Sequence, residues 1–422
     1  MNTAESNAYV PRIVDAELTG ALSRLGAVEM KGARATGKTE TALHHARSSI
    51  RLDQPGGLVD AIHNQPELAL QGDTPRLIDE WQEVPSVFNA VRHRVDESRH
   101  KGMFILAGSA APNDDLRRHS GAGRFARLVM RTMTLLETGH SSGAVGIGGL
   151  LAGREVAPVE NDATFTDVLE RMVVGGWPGW WDASPVDARA NANDYIDAAV
   201  EHDYPLLIDR RPDSRRFRAY LGAMAALVAQ PATNAAIERY MQEELRVNYQ
   251  GKSPVVELSD LASRMYLTED QPAWSPKLRS ATAAATKPTR HLADSSLAAA
   301  LLGAGVDRLI AEPETAGFLF ESQVVHDVRV YAQHVGARGV YHYRDQKNRD
   351  EIDVVVEGAD GSWVGMEVKL GLRAVDKAAE NLQRVAAKMV HPPAKLVVVV
   401  PHGPAYTRAD GVVVAPLTTL GP

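Results

Sequence analysis

Short apolar runs alternate with helix-spaced apolar stripes along the first part of the chain. Leu18, Leu22 and Leu25 mark a stripe on a short helix, and the run Ala27-Val28-Glu29-Met30 predicts a strand after it. Thr39 to Ser48 holds no breaker and carries Ala42, Leu43 and Ala46 on one side, which predicts a helix. Ile50 to Asp53 predicts a second strand, closed by Gln54-Pro55-Gly56-Gly57. Two more apolar runs, Leu77-Ile78 and Met103 to Ala107, end in Asp79-Glu80 and in Gly108-Ser109. Strands alternating with helices predict a parallel α/β sheet.

The middle of the chain changes period. Phe165, Val168, Leu169 and Met172, then Phe217, Tyr220, Leu221 and Met224, fall at helical spacing and predict a mainly helical region. The glycine-rich stretch Gly139 to Val156 predicts a boundary or flexible connection. From Gly317 the pattern predicts a helix (Phe318 to Val335), three strands (Gly339 to Arg344, Glu351 to Glu357, Ser362 to Leu370), a helix through Leu382, Val385, Ala386 and Met389, and buried strands at Leu396 to Val400 and Gly411 to Ala415. Domains are expected at 1–145, 146–300 and 301–422.

Composition narrows the chemistry. At 422 residues with 44% hydrophobic and 23% charged positions, the chain has the make-up of a globular protein of two or three domains. No stretch reaches the length of a membrane span, and the N-terminus lacks a basic region followed by an apolar one, so a cytoplasmic protein is expected. The absence of cysteine excludes disulfides, thiolate metal sites and a cysteine nucleophile. A metal must therefore be held by oxygen or histidine, which suits Mg²⁺. The net charge of -7 gives no global sign of nucleic-acid binding.

Gly32-Ala33-Arg34-Ala35-Thr36-Gly37-Lys38-Thr39 meets every constrained position of the phosphate-binding loop G-x-x-x-x-G-K-[ST], between a predicted strand and a predicted helix. Its N–H groups and the following helix N-terminus suit the phosphates of ATP; Lys38 is placed to reach the β/γ-phosphates and Thr39 to ligate Mg²⁺. Asp79 is expected to hold Mg²⁺ through water, and Glu80 to polarise the attacking water. Ser109 is either a turn serine or a hydroxyl that senses the γ-phosphate. Arg124 is the candidate arginine for transition-state charge, in its own subunit or a neighbour's, with Arg118, Arg127 and Arg131 as alternatives.

The segments YVPRIVD, GARATGKTETA, LIDEWQEVP, FILAGSA and GAGRFARL follow one another in an order that resembles a bacterial and archaeal group of AAA-type P-loop ATPases. The resemblance spans nearly the whole chain. That family carries a C-terminal domain of unknown function whose core is similar to PD-(D/E)xK nucleases. The resemblance implies an ATP-binding α/β domain with Lys38, Thr39, Asp79 and Glu80 in the roles above. It also implies a winged-helix-like unit, which Val228 to Leu278 has to supply although Gln250 to Pro254 and Thr268 to Pro276 interrupt its helical pattern. Gly175-Gly176-Trp177-Pro178 resembles the family's Gly-Gly-aromatic-Pro signature; its tryptophans either stack on bases or cap a helical core, and packing is expected. His291, in a segment resembling the approach to the family's last domain, is expected to be structural.

In the last third the α-β-β-β-α-β order is that of restriction-endonuclease-like folds. Period-2 alternation puts Glu367 and Lys369 on one face of their strand, and a three-residue turn Ala359-Asp360-Gly361 sets Asp353 directly across from Glu367. Asp353 and Glu367 are then candidate Mg²⁺ ligands, Lys369 steadies water or developing charge, and Glu321 adds a ligand from the preceding helix, with Arg344 and Glu351 in support. A hairpin with a charged solvent face gives the same pattern. Two functions stay open: an ATP- and Mg²⁺-dependent ATPase coupled to a nuclease-like domain that acts on DNA, and a nucleotide-switched binding protein whose nuclease-like domain does not cut. A homo-oligomer is among the expected states, and no membrane partner is expected.

Overall fold

The computed structural model describes residues 9–108, 121–208, 211–246, 253–276, 287–345 and 350–422. The chain divides into two compact units, the first Met1–Thr132 with Arg264–Tyr266, the second Met133–Ser263 with Leu267–Pro422. The second unit begins at Met133 and includes both the helical middle and the C-terminal segment.

In the first unit α1 (Val14–Arg24) precedes β1 (Ala27–Lys31), α2 (Lys38–His45), β2 (Ser48–Arg51), α3 (Gly57–Asn64), β3 (Arg76–Asp79), α4 (Ser86–Ser98), β4 (Phe104–Ala107) and β5 (Phe125–Val129). All pairings are parallel, in the order β2-β3-β4-β1-β5. The pleat sends alternate side chains to opposite cores: Ile78, Phe104 and Leu106 pack with Val87, Phe88 and Val91 of α4, whereas Leu77, Ile105 and Ala107 pack with Leu18 and Leu22 of α1. Each fully buried Leu, Ile, Val or Phe side chain contributes roughly 1.5–3 kcal/mol. β2 lies two residues earlier than expected because its backbone pairs Ser48 with Arg76 and Ile50 with Ile78, polar serines being tolerated at a sheet edge.

The register aligns the carboxyl ends of the central strands. Met30 and Asp79 both lie beside Ala107, so the loop after β1, the Asp79-Glu80 pair and Gly108 share one edge of the sheet. Ligands of open α/β sheets bind at this edge.

The second unit carries helices Phe165–Val174, Pro185–Ala198, Ser214–Ala226 and Pro313–His334 around apolar stripes that follow the predicted spacing. Thr164 and Asp167 form a capping box at the start of the first of these. The described residues between 228 and 276 form helices Asn234–Leu245 and Val255–Arg264 and no strand, with isolated bridges pairing Thr268 with Leu292 and Gln271 with Thr289. Gly139 to Val156 is no simple connection: it holds β6 (Val145–Gly146) and the helix Ile147–Leu151, whose Val145, Ile147 and Leu150 are buried.

The C-terminal strands β7 (Gly339–Arg344), β8 (Glu351–Glu357), β9 (Trp363–Val368), β10 (Lys395–Val400), β11 (Tyr406–Thr407) and β12 (Val413–Pro416) form one mixed sheet, in the order β11-β12-β10-β9-β8-β7. β7, β8 and β9 are antiparallel neighbours; the helix Val375–Ala386 then carries the chain to β10, parallel to β9. β13 (Leu420–Gly421) pairs with β6, tying the last residues to the start of this unit.

The Gly-Gly-aromatic-Pro turn is a packing joint, as expected. Trp177 is fully buried and lies 5.4 Å from Trp180 and 4.4 Å from Tyr195, centroid to centroid, and its Nε1 donates to Ser296 Oγ at 3.2 Å. Asp294 Oδ2 accepts from Gly176 N at 3.0 Å, and Gly176 O accepts from Met133 N at 2.6 Å.

Candidate functional site

The phosphate loop follows β1 directly, with Gly32 and Gly37 both at positive φ and Gly37 capping α2. Ala35 also takes a left-handed conformation, φ 60, which costs a residue with a Cβ about 1 kcal/mol or more. The loop is braced from within and without. Thr36 Oγ1 donates to Ala33 O at 3.0 Å; the buried Arg12 donates through Nη1 to Thr36 O and through Nη2 to Arg131 O, both at 2.8 Å. Arg12 lies in the opening segment YVPRIVD, and its role is visible once β5 and the loop are side by side.

Lys38 turns back over the loop, its Nζ donating to Gly32 O at 2.9 Å and Ala33 O at 2.6 Å. Burial pushes this amine down to about 8, against the pull of Glu80 and Asp79. A desolvated cation over the loop is the counterpart of a phosphate. Thr39 Oγ1 lies 3.1 Å from both carboxylate oxygens of Asp79, a fully buried side chain at the tip of β3. Burial raises the Asp79 carboxyl above its ordinary range and the Thr39 hydroxyl opposes that rise. This oxygen-only donor set beside the loop fits a hard divalent cation such as Mg²⁺. Arg51 at the end of β2 stands 3.8 Å from Asp79 and 3.2 Å from Asp53, and sequence reasoning missed it because its place beside Asp79 comes from the parallel pairing of β2 with β3.

Glu80 follows Asp79 with left-handed backbone (φ 49, ψ 42), and its carboxylate accepts from Gln82 Nε2. Arg124 does not join them. Its carbonyl accepts from Ala27 N, at the amino end of β1, and its guanidinium is bound to Asp96 Oδ1 at 2.7 Å. That is the opposite edge of the sheet, on the order of 15 Å from the loop, so Arg124 does not reach its own nucleotide. A residue just before a parallel strand has to lie at that edge, and Phe125 opening β5 was the available signal. Ser109 and Arg118 lie outside the described residues.

The five-stranded parallel order, the braced loop and the acid pair at the same edge define a P-loop ATPase domain of AAA type. Residues 26–138 match the AAA domain family AAA_14, residues 165–308 match a domain of unknown function, DUF8612, and residues 316–420 match another, DUF4143. Among solved structures the chain is similar to the Walker-type ATPase PABY2304 of Pyrococcus abyssi, at 12% identity and TM-score 0.45 over 71% of this chain and 98% of that one. It is also similar to the Aeropyrum pernix ORC2 protein, at 12% identity and TM-score 0.34 over 74% and 97% of the two chains. No curated protein matches it. The class rests on the AAA match and the loop's geometry.

The second unit gathers the other predicted residues. Val354 pairs with Met366, which sets Asp353 opposite Glu367 as expected from the three-residue turn. Lys369 Nζ stands 2.9 Å from Glu367 Oε1 and 3.4 Å from Asp353 Oδ2, while Asp353 Oδ2 also accepts from Val368 N at 2.8 Å. Burial, then Asp353, pushes the Glu367 carboxyl up to about 8. Burial works to lower Lys369, and Asp353 and Glu367 overcome it, holding the amine charged. Glu321 is near enough for Asp353 to add to the burial that raises its carboxyl well above the usual range. Arg344 and Glu351 pair with each other at 2.8 Å. Among the described residues no group of three or more His, Asp and Glu side chains is arranged to hold a metal. No helix among them is long and apolar enough to cross a membrane.

A buried network adjoins these side chains. Gln271 Nε2 donates to Tyr341 O at 2.9 Å and Asp353 O at 3.1 Å, where β7 and β8 slip register, and its Oε1 is 3.4 Å from His291 Nε2. His291 Nδ1 is 3.0 Å from Ser322 Oγ, next to Glu321. Burial, then Arg329, lowers His291 far below its ordinary value, with His342 adding and Glu269 opposing. The native imidazole stays neutral while the unfolded one takes up a proton near pH ~6.5. Its contribution to stability is therefore complete above that pH and declines as pH falls below it, by up to about 1.4 kcal/mol per pH unit. Urea unfolding at pH 7.5 and 5.5 is expected to show this loss, and His291→Gln to remove about one proton from the slope. An unchanged slope in the variant assigns the loss elsewhere.

Proposed function

We propose that the chain is a Mg²⁺-dependent ATPase whose C-terminal cluster of Asp353, Glu367 and Lys369 acts on a phosphodiester, with DNA as its partner. The observation that carries the first half is the meeting of Thr39 with Asp79 beside the buried Lys38. In this reading Lys38 leaves the loop carbonyls for the phosphates, Thr39 and Asp79 hold the cation, and Glu80 orients the attacking water. At the second site Asp353 and Glu367 would hold a cation; Glu367 Oε2, buried without a hydrogen-bond partner among the described residues, supports this. A divalent cation held there would supply charge neutralisation on phosphate at the first site and would polarise water at the second. Lys369 then steadies charge on the phosphate.

A second reading is favoured by Lys369 itself, whose ammonium already bridges both carboxylates. In it the cluster does not cut, and ATP switches a binding protein. Plasmid nicking with Mg²⁺ or Mn²⁺ separates the two. Cutting that falls by about 100-fold or more in Lys369→Ala supports the nuclease reading, whereas no cutting of supercoiled, linear or single-stranded DNA or of RNA favours the switch. Arg124 enters the proposal only as an arginine offered to a neighbouring copy.

A further inference from the structure

Three groups meet beside Glu80. Gln82 Nε2 donates to Glu80 Oε2. The other end of the same carboxamide, Oε1, is buried and has no hydrogen-bond partner among the described residues. A Cβ built on Gly108, just past β4, falls 2.2 Å from that Oε1 and 3.3 Å from Trp81 Nε1, so the carboxamide fits there only over a glycine.

We propose that Gln82 is the positioning residue of the ATPase site: its carboxamide, seated on Gly108, fixes the Glu80 carboxylate in the orientation that receives the attacking water. The inference rests on Glu80 being the carboxylate of ATP hydrolysis. The backbone around Glu80 is already fixed, since Glu83 N donates to Glu80 O at 3.0 Å and the buried Trp81 packs on Phe88 with ring centroids 5.4 Å apart. The carboxylate itself still has free torsions, and each unproductive rotamer costs rate. A neutral amide suits the task better than a cation. It donates to the anion and sets its direction without placing a second charge beside the attacking water. The strand register puts Asp79 beside Ala107, so Gly108 follows the acid pair's level and gives the carboxamide a rigid backbone to rest on.

The test compares full-length wild type with Gln82→Ala, Gly108→Ala, Glu80→Gln and the double variant Glu80→Gln/Gln82→Ala. Turnover and binding of a fluorescent ATP analogue are measured for each. Gln82→Ala is expected to lower kcat by about 10- to 100-fold with KM and ATP affinity unchanged. Gly108→Ala, whose Cβ meets the far end of a flexible side chain rather than backbone, is expected to reproduce that loss with Gln82 still present. The double variant is expected to be no slower than Glu80→Gln, because a positioning residue has nothing left to position. A kcat within twofold of wild type in Gln82→Ala, or a double variant slowed by the further full factor, overturns the inference while the ATPase reading stands. A wild type that binds ATP without hydrolysing it overturns both.

Discussion

Lys38→Ala is expected to weaken ATP binding by about 100- to 1,000-fold, from the loss of one desolvated, charge-assisted contact to phosphate worth roughly 2–5 kcal/mol. The cost should fall on binding and hardly on folding. The ammonium is buried against the Gly32 and Ala33 carbonyls, at 2.9 and 2.6 Å, and burial is the main cause of its lowered pKa. The loop keeps its shape through Thr36 and through Arg12, which holds Thr36 O and Arg131 O. Calorimetric titration with Mg-ATP checks the first part and a thermal melt the second. An affinity within threefold of wild type means that the phosphates do not sit in this loop.

Gly176→Ala is expected to be the most damaging small substitution in the second unit. Its Cβ lands 1.9 Å from Met133 O and 2.7 Å from Met133 C and N, all backbone atoms that no rotamer change can move aside. The bond from Met133 N to Gly176 O at 2.6 Å is lost with the separation that relieves the clash, and the Trp177–Ser296 contact follows it. A cost of about 3 kcal/mol or more is expected, a fall in melting midpoint of roughly 10 °C for a unit of this size. Gly179→Ala in the same turn is the control, because nothing lies within 4 Å of its Cβ. Equal midpoints for the two variants remove the joint from the description of this unit.

Much of the architecture was legible because it depends on local period. Strand runs at 27–30, 77–79 and 103–107 and the phosphate loop between the first strand and its helix follow from apolar pattern and glycine placement alone. The meeting of Asp353, Glu367 and Lys369 follows from alternation and one turn length, since register in a hairpin is counted from its loop. What escaped depends on distant partners. Arg12 binds carbonyls 24 and 119 residues away, and Gln271 reaches the Asp353 carbonyl across 82 residues. Gly139 to Val156 misled because glycines carry no side-chain period; its order comes from pairing between β6 and the end of the chain. Gln82 was hidden in plain view, two residues after Glu80, because only the fold brings Gly108 beneath it.

The most direct test of the central claim is ATP hydrolysis by the full chain with Mg²⁺, with and without DNA, beside Glu80→Gln, with ATP binding measured in parallel. Wild type is expected to turn over ATP, and Glu80→Gln to bind it as tightly and hydrolyse it at least ~100-fold more slowly. A wild type that binds ATP but hydrolyses none under either condition, or a Glu80→Gln protein that hydrolyses it at the wild-type rate, contradicts the ATPase mechanism.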